Sequence, residues 1–350
     1  MSLVRASIAT LLKLGSVAAA TSVVGACLLH CSPFASSAEG NGSGTTDAMA
    51  DGGSVDGDGP DGAGPVDAGD GTTVVASGQG GVTSLAHDGK TLYWAARSDG
   101  AVRSCALEGC SKPADVTVGG QPSHVAWTKR LFWADETAEA IFFLDDAGKI
   151  AREELSGLVS ALVGDSKTVY GLLTNVIIKL QDDPPSSSTT FLGFNSTGVY
   201  GAAYDGIAWA TPADVRFCPA TGSCSEASSL VAAAQNATAL AVDGAQIFWT
   251  TSDGHLRARE RSGGSVVELA TALPEPSGVA SDPNGPYVYF TARGTSAASY
   301  ADGFVGRVAR GGGDVTVLAR NQHRPEAIVL AGGDVYWANT FDGTIRRAPK

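Results

Sequence analysis

The tetrapeptide Thr91-Leu92-Tyr93-Trp94 decides the fold, because close variants of it recur along the chain. Six further β-rich runs end on an aromatic residue or on a glycine in its place: RLFW at 130–133, TVYG at 168–171, GIAW at 206–209, QIFW at 246–249, YVYF at 287–290 and DVYW at 334–337. Their last residues are 39, 38, 38, 40, 41 and 47 positions apart. A period of about 40 residues is typical of repeat proteins in which each repeat is one small sheet.

Each repeat has room for four short strands. A small or apolar segment, such as TALAVDG at 238–244, leads through a turn to the aromatic run. A third segment alternates in polarity, as in HLRAR at 255–259, and a fourth is rich in β-branched residues, as in DVTVLA at 314–319. Alternation at period two between frequent turns indicates antiparallel strands. The sequence therefore predicts an all-β fold, a seven-bladed β-propeller with four-stranded antiparallel blades. Six or eight blades are the alternatives if the weak third repeat, 160–180, is misread.

The ends of the repeat region predict how the ring closes. The seventh repeat stops at Lys350, directly after its third strand, TIRRAP at 344–349. A β-rich segment, TTVVA at 72–76, precedes the first repeat and is not one of its four predicted strands. We expect this N-terminal strand to complete the last blade, which removes an open sheet edge.

The recurring aromatic residues are predicted to pack between blades. They occupy one position per repeat, where a large side chain fills the wedge between neighbouring sheets, so we do not interpret them as a ligand platform. The third repeat has Gly171 at this position. The sequence predicts a thin wedge there, filled by Tyr170 or Leu173.

The N-terminus carries the features of a targeting segment. Two basic residues precede an apolar stretch at 14–29 that is too short to span a bilayer. It runs into Val24-Gly25-Ala26-Cys27, which resembles a bacterial lipobox. The resemblance implies a lipoprotein signal peptide at 1–26, lipidation of Cys27 and membrane attachment in the bacterial cell envelope. Leu28, rather than Asp, at the next position favours the outer membrane. An ordinary secretory signal and an uncleaved anchor are the alternatives.

Residues 27–71 are predicted to be a disordered tether. The segment is rich in Gly, Asp, Ser and Ala, and it has too few large apolar residues to offset the entropy lost on ordering. Its Asp-Gly repeats suggest calcium, but Pro60 occupies the fifth position counted from Asp56 and no bidentate Glu follows. The propeller domain is therefore expected to cover 72–350.

The charge of the chain excludes one class of partner. The formal net charge is −12, and residues 36–72 contribute eight acids and no base. An acidic domain repels phosphate backbones, so we expect no nucleic-acid partner. It also disfavours adsorption to anionic lipids, so membrane attachment depends on Cys27. We expect the protein to be a monomer.

Two pairs of cysteines each flank a predicted turn. Cys105 and Cys110 lie in CALEGC, and Cys218 and Cys224 lie in CPATGSC. The pairs fall in the first and fourth repeats, far apart around a ring, which argues against a shared metal site. In an oxidising envelope the sequence predicts two local disulfides, each contributing about 2 kcal/mol.

No catalytic motif, metal site or cofactor site is recognisable, so the candidate site follows from the fold. In a propeller the first strand of each blade surrounds a central channel. Alignment of the loops that enter these strands predicts a polar mouth, with Ser196-Thr197-Gly198 as the entry of the fourth blade. The candidate ligand-binding residues are Gln121, His124, Asn236, Glu275, His323, Arg324 and Glu326. The alternative is that these polar residues only fit a crowded channel wall and that Arg324 pairs structurally.

The aromatic runs also resemble a known class of repeats. YWAA at 93–96, FWAD at 132–135 and YWAN at 336–339 are similar to the repeats of YWTD, NHL-like and streptogramin-lyase-like propellers. The resemblance implies the fold but not one function. We expect a membrane-anchored envelope lipoprotein whose propeller binds a protein, peptide or polar small molecule. The alternative is a lyase or hydrolase of the streptogramin-lyase type, which requires His124, Glu275, His323 and Glu326 to converge at the mouth.

Overall fold

The computed structural model describes residues 71–165, 167–181, 189–193, 200–220, 230–233 and 236–350. These residues form seven four-stranded antiparallel sheets arranged in a ring. The predicted seven-bladed β-propeller is therefore confirmed. Two short 3₁₀ helices, Arg97–Asp99 and Ser296–Ala298, lie among the strands, and no helix in the described part is long and apolar enough to cross a membrane. The predicted signal peptide, Cys27 and all but the last residue of the predicted tether lie outside the described residues.

From the channel outward, the strands of blades one to six follow chain order, and blade seven differs in its outer strand. The first strands are β2 (Val82–His87), β6 (Pro122–Trp127), β10 (Ala161–Gly164), β14 (Tyr200–Ala203), β18 (Ala237–Val242), β22 (Pro276–Ser281) and β26 (Pro325–Ala331). The second strands are β3 (Thr91–Ala96), β7 (Leu131–Asp135), β11 (Thr168–Leu172), β15 (Gly206–Ala210), β19 (Gln246–Thr251), β23 (Tyr287–Ala292) and β27 (Asp334–Asn339). The third strands are β4 (Ala101–Ala106), β8 (Ala140–Leu144), β12 (Val176–Gln181), β16 (Asp214–Pro219), β20 (His255–Glu260), β24 (Gly303–Ala309) and β28 (Thr344–Pro349). The outer strands are β5 (Ala114–Val118), β9 (Ile150–Glu154), β13 (Thr189–Gly193), β17 (Leu230–Ala233), β21 (Val267–Ala270), β25 (Thr316–Gln322) and, in blade seven, β1 (Thr73–Ala76).

The ring closes as the sequence predicts. Strand β1 pairs antiparallel with β28, with Thr73 opposite Arg347, so the last blade takes its outer strand from the N-terminal side of the domain. Val75 and Ala76 are buried in the core between blades seven and one. Each first strand also contacts the first strand of the next blade, and β26 contacts β2.

The aromatic residues of the second strands fill the seams between blades. Seven hydrophobic clusters each join two neighbouring blades. Six clusters contain one of the recurring aromatics: Trp94, Trp133, Trp209, Trp249, Phe290 and Trp337. All six are buried, which confirms their predicted packing role.

The seam between blades two and three is the exception. A Cβ added to Gly171 would lie 3.0 Å from Ile178 and 3.2 Å from Ile141, so two isoleucines occupy the space that an aromatic ring takes elsewhere. Leu173 belongs to this seam, as predicted. Tyr170 does not, because it lies on the opposite face of β11 and packs in the next seam.

Aspartates secure the turns between first and second strands. The carboxylates of Asp88, Asp165 and Asp243 each accept two backbone N–H groups, which belong to residues two and three positions later. Such side-chain turns explain why Asp recurs at these places. These turns lie at the end of the channel where the first strands finish, which we call the exit end. The opposite end, where the first strands begin, is called the entry end.

The disulfide prediction is confirmed for one pair. Cys105 and Cys110 form a disulfide with their Cα atoms 5.6 Å apart. Cys218 is also disulfide-bonded. Cys224 lies outside the described residues, so its pairing with Cys218 stays a prediction.

Candidate functional site

A polar cavity of about 280 Å³ occupies the entry end of the channel. Every blade contributes to its wall; the polar lining residues are Thr83, Ser84, His124, Ser160, Tyr200, Thr238, Ser277, Arg293 and Glu326. Of the seven predicted mouth residues, His124 and Glu326 line this cavity. The predicted entry of the fourth blade, Ser196-Thr197-Gly198, lies outside the described residues.

Hydroxyl groups around the entry end join neighbouring blades. Thr83 Oγ1 donates to the Ser123 carbonyl at 2.6 Å, which links blades one and two. Thr238 Oγ1 donates to the Pro276 carbonyl at 2.7 Å, and Ser277 Oγ donates to the carbonyl of Pro325 at 2.8 Å. These three hydroxyls therefore hold adjacent first strands together, and with their protons donated their oxygens remain as acceptors.

The residues that directly precede five of the first strands have a backbone role. In five blades their carbonyl accepts a hydrogen bond from the amide that follows the second strand; the pairs are Gly81–Arg97, Gln121–Glu136, Asn236–Ser252, Glu275–Arg293 and Arg324–Thr340. Asn236, Glu275 and Arg324 adopt left-handed conformations, with φ between 48° and 59°. Gln121, Asn236 and Glu275 are exposed and are not part of the cavity wall.

A β-bulge follows directly in each of these first strands. The pairing register shifts between Pro122 and His124 and between Pro276 and Gly278, and equivalent shifts occur in β2, β18 and β26. A bulge changes which side chains face each side of a strand. It therefore decides which of the aligned entry residues reach the channel.

Three charged residues at this end were not predicted. Arg97, Glu136 and Arg293 each come three positions after the recurring aromatic residue of their repeat. Arg97 forms an ion pair with Glu136 that connects blades one and two. Arg293 lines the cavity itself. The signal in the sequence is the fixed offset of these residues from the aromatic position. The second strand of each of these blades ends just before them, at the entry end of the channel.

Glu326 lies between two arginines. Its Oε1 is 3.1 Å from Arg293 Nε and 2.9 Å from Arg324 Nε. Both contacts are ion pairs without the alignment of a hydrogen bond. In the described part of the molecule, neither Nη group of Arg293 makes a hydrogen bond, so this guanidinium has donors available to a ligand in the cavity.

His124 contributes a neutral imidazole to the cavity. Its Nδ1 lies 3.0 Å from Ser123 Oγ. Burial and, to a smaller extent, the positive charge of Arg97 together lower the pKa of His124 to about 4. At neutral pH the ring is therefore uncharged, with one nitrogen that donates and one that accepts.

The four residues required for a metal-assisted enzyme are not gathered at one point. His124 and Glu326 share the cavity, whereas Glu275 is exposed on the rim. His323 is half exposed and its Nδ1 lies 3.6 Å from Asp342 Oδ2. Across the described ranges no group of three His, Cys, Asp or Glu residues is placed to hold a metal ion.

An aromatic surface adjoins the cavity at blades six and seven. The insertion 294–303 brings Tyr300 against Phe341, with the ring centroids 5.6 Å apart and the rings nearly perpendicular. The Arg324 guanidinium carbon lies 5.3 Å from the centroid of each ring. We call these three residues the aromatic shelf.

The exit end of the channel is different in character. A cavity of about 320 Å³ there is lined mainly by apolar residues of blades one to four, including Trp127 and Val163. On the other side of the ring, buried Asp243 pairs with Arg310 at 2.6 Å and accepts a hydrogen bond from Ser281. Arg310 also donates to the Asp282 carbonyl at 2.6 Å.

The fold and this channel place the chain among seven-bladed β-propellers, and the comparisons with known proteins agree. No protein-family model matches the chain, and no curated sequence is significantly similar to it. Similar solved structures include a hydrazine synthase from Kuenenia stuttgartiensis, with a TM-score of 0.61 and 16% identity over 79% of this chain and 97% of that chain. A virginiamycin B lyase from Staphylococcus aureus has a TM-score of 0.59 and 12% identity over 79% and 97%. The Cps50 (Swd1) propeller domain from Myceliophteria thermophila has a TM-score of 0.60 and 14% identity over 80% and 99%.

These neighbours differ in function and are only distantly similar in sequence. They therefore support the fold, including its predicted likeness to streptogramin-lyase-like propellers, and leave the function to the residues of the channel.

Proposed function

We propose that this propeller is a binding module for a polar ligand that carries a carboxylate, and that the ligand binds in the entry-end cavity. The observation that carries the proposal is Arg293, a guanidinium on the cavity wall whose two Nη groups make no hydrogen bond in the described structure. A guanidinium matches a carboxylate through two parallel hydrogen bonds. The two-point geometry of such a pair gives orientation as well as affinity.

The surrounding residues suit such a ligand. Neutral His124 and the hydroxyl oxygens of Ser160, Thr238 and Ser277 line the same cavity. The three hydroxyl protons are donated to backbone carbonyls, so these oxygens serve as acceptors for donor groups of the ligand, and the His124 ring supplies one donor and one acceptor. Glu326 keeps the net charge of the site low when it is empty, because it pairs with Arg293 and Arg324. A few convergent polar groups in a concave site are typical of small-molecule recognition.

Binding is favoured over catalysis by the placement of the titratable groups. A lyase or hydrolase requires a base and an acid or metal within reach of one reacting atom. Of the four residues that such an enzyme was expected to use, His124 and Glu326 lie on the cavity wall, and His323 and Glu275 lie elsewhere.

The binding proposal is tested with small carboxylates. NMR-monitored titration of the full chain with N-acetylglycine is expected to show saturable binding, and the matched amide, N-acetylglycinamide, is expected to bind at least tenfold more weakly. Arg293→Gln is expected to remove the preference for the carboxylate. Arg152→Gln is the matched control, because Arg152 is exposed on the outer strand β9. Equal binding of acid and amide, or no binding of either, overturns the proposal.

We propose further that the module is held at the bacterial outer membrane by lipid on Cys27. The lipobox-like segment at 24–27 supports this proposal, and the acidic charge of the chain makes adsorption to anionic lipid an unsuitable substitute. Cell fractionation tests it: Cys27→Ala is expected to leave the membrane fraction, and Cys31→Ala is the matched control. Retention of Cys27→Ala in membranes contradicts lipid anchoring.

A further inference from the structure

We infer that the aromatic shelf forms a second part of the same site and binds an aromatic ring of the ligand, so that the ligand is an aromatic carboxylate such as an N-acylated aromatic amino acid or a peptide that ends in one. This inference rests on the proposed binding of a carboxylate by Arg293. It assigns a role to Tyr300 and Phe341, and it narrows the class of ligand.

The shelf and the cavity are joined through one side chain. The Arg324 guanidinium contacts both shelf rings and also contacts Glu326 Oε1, which is the atom that Arg293 contacts from within the cavity. A ligand whose carboxylate pairs with Arg293 therefore has the shelf one side chain, Arg324, away. A molecule that carries both a carboxylate and an aromatic ring therefore suits this arrangement.

The exposure of Phe341 distinguishes the shelf from ordinary surface. Phe341 is 54% exposed, and it is the aromatic residue among the exposed large hydrophobics of the described structure. The others are aliphatic: Val118, Ile150 and Val267 lie on outer strands, Val266 precedes one, and Leu158 lies before the first strand of blade three. Single exposed apolar residues are common. This one has a second ring at its edge and a cation beside both rings, an arrangement that suits stacking of a further ring.

The shelf is held in place by the insertion of blade six. The carboxylate of Asp302 accepts from the Thr295 amide and from its hydroxyl, both at 2.7 Å. The Arg324 amide donates to the Tyr300 carbonyl at 3.0 Å. Tyr300 and Arg324 both adopt left-handed conformations, with φ of 58° and 57°. Such conformations cost about 1 kcal/mol or more each and persist where the surrounding contacts fix them. The rings are therefore pre-positioned.

The test compares ligands that differ only in the ring. NMR-monitored titrations of the full chain with N-acetylphenylalanine and N-acetylglycine are expected to show at least tenfold tighter binding of the aromatic acid. A tripeptide that ends in phenylalanine distinguishes the two sources of this chemistry, because a small-molecule site rejects it and a peptide site binds it at least as tightly as N-acetylphenylalanine.

Two variants isolate the shelf. Phe341→Ala is expected to abolish the advantage of N-acetylphenylalanine while N-acetylglycine binds as before. Ile150→Ala is the matched control for loss of an exposed apolar residue and is expected to change neither affinity. Tyr300→Phe keeps the ring and is expected to keep the advantage.

The outcomes separate the two proposals. Equal affinities of the two acids, or an unchanged advantage in Phe341→Ala, overturn the shelf and leave the carboxylate site standing. Failure of both acids to bind overturns the carboxylate site itself.

Discussion

The two ends of the central channel are built from the same repeated strands, but their charged side chains differ in how fully they are hydrogen-bonded. At the exit end, Asp243 is buried and fully engaged by Arg310, Ser281 and two backbone amides. At the entry end, Arg293 and Glu326 line a cavity, and part of their hydrogen-bonding capacity is unused. Satisfied buried charge fixes a structure, whereas unsatisfied charge at a cavity is available for recognition. The difference assigns a stabilising role to the exit-end ion pair and supports the ligand binding that we propose for the entry end.

The largest effect is expected from the exit-end ion pair. Asp243→Ala leaves the Arg310 guanidinium without its carboxylate and removes the turn acceptor, and loss of one partner of a buried pair typically costs about 3–5 kcal/mol. Urea denaturation measures the change. Glu326→Gln is the corresponding variant at the entry end, and it is expected to lower the free energy of unfolding by less than about 1 kcal/mol. If Asp243→Ala does not fold, Asp243→Asn serves in its place. Equal losses in the free energy of unfolding for the Asp243 and Glu326 variants contradict the difference that we describe between the two ends.

A pH effect is expected at the entry end. The folded pKa of His124 is about 4, below the ordinary value of 6.5, so the unfolded chain takes up this proton first as the pH falls. The stability contributed by neutral His124 is full above pH 6.5 and is lost between pH 6.5 and about 4, by up to about 3 kcal/mol.

Denaturation at several pH values checks this, with His124→Gln as the comparison. The difference in stability between the two proteins is expected to change over that window. His87 at the exit end also has a lowered pKa, caused by burial, and remains in both proteins, so its contribution cancels. A constant difference across the window contradicts a lowered pKa for His124.

A smaller effect is expected from the hydroxyls between blades. Thr238→Val removes the donor to the Pro276 carbonyl and keeps the shape of the side chain, so it is expected to cost about 1 kcal/mol. Thr316→Val, at an exposed position of β25, is the control. Thermal denaturation distinguishes them. If Thr238→Val lowers stability no more than Thr316→Val does, the Thr238 hydroxyl does not stabilise the contact between blades and is available to the ligand.

The smallest effect on stability is expected from the Arg97–Glu136 ion pair. Arg97 is 46% exposed, and exposed pairs contribute about 1 kcal/mol or less. Arg97→Gln is nevertheless expected to raise the pKa of His124, because it removes a positive charge that disfavours protonation of the imidazole. NMR titration of the ring measures this. An unchanged pKa shows that burial alone sets it.

The parts of the molecule that repeat were predictable from the sequence, and the parts that depend on local backbone geometry were not. The aromatic period predicted seven blades, because each repeat must bury the same face. The segment at 72–76, which belongs to no other repeat, predicted the closure by β1. The seam at Gly171 was only partly predicted, since Ile141 comes from the neighbouring blade.

Prediction of the candidate site from the sequence was limited in the same way, by local backbone geometry. Alignment identified His124 and Glu326, but it also selected Gln121 and Glu275, which are exposed. A bulge at the start of each of these strands breaks the simple alternation of faces, and residue types alone do not reveal it. Arg293 was missed because its position follows from the end of the second strand and not from the entry of the first.

The closure of the ring by β1 also determines how the domain bears force. A pull on the chain before Thr73 enters the propeller through a four-residue outer strand, held by its pairing with β28, by the burial of Val75 and Ala76 and by the hydrogen bond from Arg346 to Thr72. The strand that bears the load is also the one that seals the ring. Tension from that side is therefore expected to open blade seven first, beside the cavity wall that carries Glu326.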